Sequence, residues 1–173
     1  TGQLSSILDV WYQVRENTRN AVESNNVATA KTLGDDANRL VKQNEGVWAK
    51  YLATYLTPEE EALTKTKGEQ HVQYVSSMNR TIQLASSGEF EAAARNLAAD
   101  TVPKFNALRD TVFALLDLQS KIAEQEYAQA QTDFQTIFMI LSAIMIVSIV
   151  AAAVFGMLLL KSIVDPLNEA IEI

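Results

Sequence analysis

Arg15 is out of place in the pattern around it. Leu8, Arg15 and Val22 form one row at seven-residue spacing on an apolar helical stripe, with Trp11 and Thr18 flanking it. On this reading Arg15 points where leucine belongs. A desolvated guanidinium is costly unless an anion meets it. Arg19 follows one turn on and about 40° round, so both cations share a face and repel. Something negative should neutralise them. One candidate is a ligand carboxylate, which a guanidinium grips in bidentate fashion. The other is internal: Glu16 adjoins Arg15, and Glu23 lies four residues after Arg19. Both readings stay open at this point. Tyr12 flanks the Arg face. Tyr74 joins the candidate ligand contacts from its expected position.

The remaining chemistry is mostly exclusion. His71 is the single histidine, on a face shared with Val75, Met78 and Ile82, and cysteine is absent. A disulfide, a Cys-ligated metal, a bis-His haem and a His-rich zinc site are therefore ruled out. No Glu-x-x-His pair exists for a di-iron bundle. No Ser/His/Asp set, Gly-rich phosphate loop or paired catalytic carboxylates stand out. The expectation is no enzyme, no cofactor and no metal. The formal charge of −7 without a basic stripe excludes nucleic acid as a natural partner. Asp35–Arg39 and Glu91–Arg95 read as surface pairs at i,i+4.

The elements that position these residues read as helices. Glycine (6) and proline (3) are scarce and no hairpin signal appears. A first helix spans 4–27 and ends at Asn25-Asn26. A second runs from about Thr29 to Leu56, with Leu33, Ala37, Leu40, Val47, Tyr51 and Tyr55 as its stripe. Thr57-Pro-Glu-Glu60 is a capping box with proline at the first helical position. It opens a third helix that ends at Ser86-Ser-Gly88. Glu89 to Leu97 is a short helix. Asp100-Thr-Val-Pro103 reads as a break and restart, with Asp100 or Thr101 as N-cap. The last helix then continues past Leu108, Val112, Leu115 and Ile122 to Leu160. Gly34, Gly46 and Gly68 inside helices mark either close contacts or tolerated surface positions.

Ile137 to Leu160 carries no charge, and at ~1.5 Å per residue it is roughly 36 Å long, enough to cross a bilayer core. The expected fold is all-α: an antiparallel up-down four-helix bundle whose last helix continues into a transmembrane helix. The expected organisation is a bundle over 1–133, a span over 134–160 and a further segment over 161–173. Lys161 after the span, against Glu124, Glu126 and Asp133 before it, puts the C-terminus in the cytoplasm and 1–133 outside. No signal peptide opens the chain, so export is expected to depend on an earlier membrane helix.

Three segments carry a family resemblance: Leu8-Asp-Val-Trp-Tyr-Gln-Val-Arg15-Glu-Asn-Thr-Arg19-Asn-Ala-Val22; Ser87-Gly-Glu-Phe-Glu-Ala-Ala-Ala94; and Ser162-Ile-Val-Asp-Pro-Leu167 after the span. The chain resembles the sensory module of bacterial methyl-accepting chemotaxis receptors, with the last motif similar to the opening of a HAMP linker domain. The resemblance implies a homodimer in the inner membrane, with residues 1–133 periplasmic. It implies a small organic anion held between subunits by Arg15 and Arg19, with Thr101 beside Pro103. The aspartate-sensing member has three arginines on this helix and this chain has two, so other organic acids stay open. The signal would pass along the last helix to HAMP and to cytoplasmic kinase and adaptor proteins. Two alternatives keep the residues and change the role: the sensor of a histidine kinase, or a protein-binding adaptor bundle with no small-molecule ligand.

Overall fold

The computed structural model describes residues 2–171, with side chains described to Ser162. Helix α1 spans Gly2–Glu23, α2 Val27–Leu52, α3 Pro58–Ser86 and α4 Phe90–Asn96; a π-helical turn, Leu97–Thr101, leads into α5, Val102–Ile171. No strand occurs among the described residues. The chain divides into two units, Thr1–Ile122 and Ala123–Ile173. In the first unit α1, α2, α3 and the stretch from Phe90 to Ile122 form the four-helix bundle.

Local chemistry sets the turns. Asn25 adopts a left-handed conformation (φ 48°), and Asn26 Oδ1 accepts the Thr29 N–H at 3.0 Å to cap α2. The Thr57–Glu60 capping box forms as its spacing requires, with Pro58 at the first helical position. Gly88 closes α3 at φ 85°. Its N–H donates to Ala85 and the Glu89 N–H donates to Leu84, which satisfies two carbonyls at the helix end.

The core is built from Leu4, Ile7, Trp11 and Val14 of α1, Ala37, Val41 and Tyr51 of α2, Tyr74, Met78 and Ile82 of α3, and Phe105, Leu108 and Leu115 of α5. A smaller cluster of Ala21, Val22, Ala30, Ala85 and Ala93 fills the end that holds the 24–26 and 87–89 turns. Gly34 is a true close contact: a Cβ there would collide with Ile82 Cγ2. Gly46 and Gly68 face open space.

Three expectations are corrected. Helix α2 stops at Leu52, four residues early, so Tyr55 leaves the helical register and is 90% exposed. Arg39 pairs with Asp36 (3.0 Å) rather than Asp35. Asp100-Thr-Val-Pro103 is no break, and no side chain caps there. The chain passes through it as a wide turn in which the Val102 N–H donates to Leu97 O, five residues back. Pro103 has no N–H, and its ring would collide with the carbonyl four residues earlier in a regular helix. A π turn relaxes that conflict without ending the helix.

Taken by itself, the second unit is helical. Its apolar side chains from Phe134 to Leu160 are exposed, and the helix is long and apolar enough to cross a membrane. The side chains of Asp165, Pro166 and Leu167, on which the HAMP reading turned, lie outside the described residues.

Candidate functional site

The innermost row of α1 is Leu4, Ile7, Trp11, Val14, Thr18 and Ala21. Arg15 stands one position round from it. It is half-buried at the rim of the stripe, not in the middle as the seven-residue row suggested. Its guanidinium lies over the Phe105 ring of α5, 5.1 Å from the centroid. At the rim an arginine covers an apolar ring with its plane and still reaches water. Among the described residues no carboxylate lies within ion-pair distance of Arg15. Glu16, the internal partner available in sequence, turns to Arg19 instead.

Arg19 is held by Glu16 at 2.6 Å and Glu23 at 3.5 Å on an exposed surface. It is neutralised within its own helix. Tyr12, 39% exposed, packs edge-on against Phe105 at 5.5 Å. Phe105 is thus the floor of a small face whose rim is Tyr12 and Arg15. Arg109, one turn along α5 and two-thirds buried, lies near Tyr12 and pairs with Asp110 at 2.7 Å. It was missed because a sequence shows α5 and α1 separately, and nothing in it sets their register.

Tyr74 is fully buried behind this face, against Trp11 and Phe105. Burial pushes its phenol well above the usual value, with Arg15 and the Thr18 hydroxyl opposing. Thr18 already donates to Val14 O at 2.8 Å, and the Tyr74 hydroxyl completes no hydrogen bond of good geometry. Tyr74 supports the floor from beneath rather than presenting a group to solvent.

Thr101 lies in a different place. Its hydroxyl is buried in a polar knot at the π turn, 2.8 Å from both Ser77 Oγ and Thr81 Oγ1. Asn96 donates to Thr81 Oγ1 at 2.9 Å, and Ser77 donates to Asp100 at 2.6 Å. Lys104 clamps Asp100 at 2.8 Å. The Lys104 and Ser77 hydrogen bonds hold the Asp100 carboxyl below its ordinary range. The knot fixes the π turn against α3. Of the five residues singled out by sequence, Tyr12 and Arg15 meet on one face, Arg19 continues it, and Tyr74 and Thr101 are internal.

Two buried ionisable groups were also missed. Glu60 accepts the Thr57 N–H (2.9 Å) and the Tyr51 hydroxyl (3.2 Å), and the Gln119 amide stands 3.4 Å away. Burial pushes its carboxyl up, but these donors outweigh it and the net shift is downward. Tyr51 is pushed up to about 12 by burial and by the Glu60 charge. Lys67 is only 2% exposed, with its ammonium between the rings of Trp48 (3.8 Å to the centroid) and Trp11 (5.8 Å). Its face was readable, since Lys67 precedes Tyr74 by seven residues. The rule that lysine stays outside obscured it. His71, on the face it shares with Val75, Met78 and Ile82, is satisfied at one nitrogen: Nε2 meets Glu45 at 3.4 Å and Nδ1 is buried without a partner.

No metal-ligating cluster of His, Cys, Asp and Glu occurs among the described residues. The arrangement offers a cationic, aromatic-floored face. No curated protein and no solved structure gives a significant match to the chain. A family model does, described as a four helix bundle sensory module for signal transduction, and it spans residues 1–134. That match covers the whole bundle, so the chain belongs to the family of four-helix-bundle sensory modules of chemotaxis receptors.

Proposed function

We propose that the chain is the sensing and membrane-crossing part of a chemoreceptor for a small organic anion, a di- or tricarboxylate or an amino acid. In this reading residues 1–133 are the periplasmic ligand-binding bundle, 134–160 cross the inner membrane and 161–173 begin a cytoplasmic HAMP domain. Two copies pair, and the ligand carboxylate meets Arg15 with Tyr12 and Arg19 beside it. Tyr74 braces the Phe105 floor, and Thr101 holds the π turn from which α5 departs. The output passes to cytoplasmic kinase and adaptor proteins. The observation that carries this reading is Arg15: a half-buried guanidinium on an aromatic floor with no carboxylate at ion-pair distance among the described residues, while Arg19 beside it is neutralised twice. A cation held so is matched to a planar anion.

The test is a thermal-shift screen of the chain in detergent against C3–C6 carboxylic and amino acids, with Arg15→Ala in parallel. A ligand at 100 times its Kd adds about 2.7 kcal/mol, several degrees for a bundle of this size. Stabilisation of the wild type but not of Arg15→Ala supports the site. If no acid shifts the wild type, the adaptor reading replaces it.

A further inference from the structure

The interior of the bundle holds a second charged centre that the Arg15 face does not use. Lys67 of α3 places its ammonium between Trp48 of α2 and Trp11 of α1. No carboxylate comes within ion-pair distance of it among the described residues. His71, one turn on, touches the same Trp11 ring at 5.3 Å between centroids and reaches Glu45 of α2. Glu45 acts on both groups, and the Lys67 charge acts on His71. Helix α1 presents the uncharged Trp11 ring, and no group of α5 contributes. Trp11 Nε1, His71 Nδ1 and the neighbouring Gln70 Oε1 are buried and unpaired.

We propose that Lys67, His71 and Glu45 form a proton-sensing centre through which the packing of α1, α2 and α3 follows the pH outside the cell. The charge arithmetic supports this. With Lys67 charged, His71 neutral and Glu45 ionised the cluster is neutral. Proton loss from Lys67 leaves it at −1, and proton gain at His71 leaves it at +1. Proton loss from Lys67 relieves a charge held in the poorly solvated core and leaves the half-exposed Glu45 without a cation, whereas proton gain at His71 sets a second buried cation beside Lys67. Loss of the Lys67 proton also removes the cation that attracts two indole faces, one on α1 and one on α2. Burial brings the lysine down to about 8, within reach of ordinary changes in the medium. Burial and the Lys67 charge push His71 down, against the pull of Glu45, so the two titrations lie well apart.

The chain carries its own reporters, because its two tryptophans are the two rings that clamp Lys67. The full chain in detergent micelles is titrated from pH 7 to 9.5 by tryptophan emission and near-ultraviolet circular dichroism. Both signals should move through a single one-proton transition near pH 8 in the wild type. The transition should vanish in Lys67→Met and persist in Arg15→Ala, which separates this centre from the anion face. Should Lys67→Met fail to fold, Trp11→Phe and Trp48→Phe each leave one reporter. The transition should then be larger in Trp11→Phe, whose remaining ring is the nearer one. A wild type flat in both signals overturns the proposal, as does a transition surviving in Lys67→Met. Emission that titrates while the near-ultraviolet signal stays constant also overturns it, because the proton would then change no packing.

Discussion

Replacing Lys67 with methionine should make the bundle more stable at neutral pH and remove one limb of its pH dependence. Lysine in an unfolded chain titrates near 10.5 and Lys67 in the fold near 8. Between these values the unfolded state binds more protons than the folded one, so stability rises with pH through that window. Below pH 8 both states are charged and the burial cost stands in full. The gap corresponds to about 3 kcal/mol over the whole window, of which about 2 kcal/mol is recovered by pH 9.5. Beyond that, Tyr51 and Tyr74 intervene with the opposite sign. Their folded values are raised, so the stability they confer is lost as the unfolded chain ionises above pH 10. Methionine keeps the volume and gives up a cation–π contact worth about 1 kcal/mol, so Lys67→Met should gain about 1–2 kcal/mol at pH 7. The assay is thermal unfolding by circular dichroism at intervals from pH 7 to 9.5. The wild-type midpoint should climb by several degrees and the Lys67→Met midpoint should stay level. A wild-type midpoint that is flat or falling, or an equal climb in the variant, would refute the reasoning.

Two further substitutions test the packing. Gly34→Ala should cost about 1–3 kcal/mol in chemical denaturation, because its Cβ meets Ile82 Cγ2. In an Ile82→Ala background it should instead stabilise by up to about 1 kcal/mol, the helix preference of alanine over glycine. Glu60→Gln should cost about 1–3 kcal/mol at pH 7, because a charged acceptor shared by Thr57, Tyr51 and Gln119 becomes neutral. The carboxyl is depressed in the fold, so its contribution is present above pH 4.5 and lost as the medium is acidified through its folded value; acid unfolding of Glu60→Gln should show a shallower limb there.

What the sequence makes legible is what local rules decide. Thr57-Pro-Glu-Glu60 caps α3 because the box needs only neighbours, and Gly88 ends it because only a left-handed residue closes that turn. The inward faces at Trp11, Met78, Ile82, Leu108 and Leu115 follow from helical period. The errors cluster where two helices meet. Arg15 fell to the rim because the stripe centres on Leu4, Ile7, Trp11 and Val14, with Leu8 and Val22 buried towards its edge. Thr101 was read as a cap because a proline downstream suggests a restart, whereas Ser77, Thr81 and Asn96 hold the chain helical through a π turn. Lys67 needed indoles from two other helices before its burial made sense. Cross-helix register belongs to the tertiary fold, and one chain read linearly contains no term for it.

The two centres share one structural path, and that yields a last prediction. Lys67 lies over Trp11, Trp11 packs on Tyr74, Tyr74 on Phe105, and Phe105 carries Tyr12 and Arg15. Contiguity by itself proves no coupling. Thermodynamics supplies the criterion: if an anion at Arg15 and a proton at Lys67 favour different packings of α1, each must alter the affinity for the other by the same factor. Anion affinity measured by calorimetry at pH 7 and pH 9 should then differ. The midpoint of the tryptophan titration should move by the logarithm of the same factor when the anion saturates. In Lys67→Met the pH dependence of anion affinity over that range should disappear. Equal affinities at the two pH values, with the tryptophan transition intact, would mean that α1 carries two independent inputs. The Trp11–Tyr74–Phe105 stack would then be packing alone.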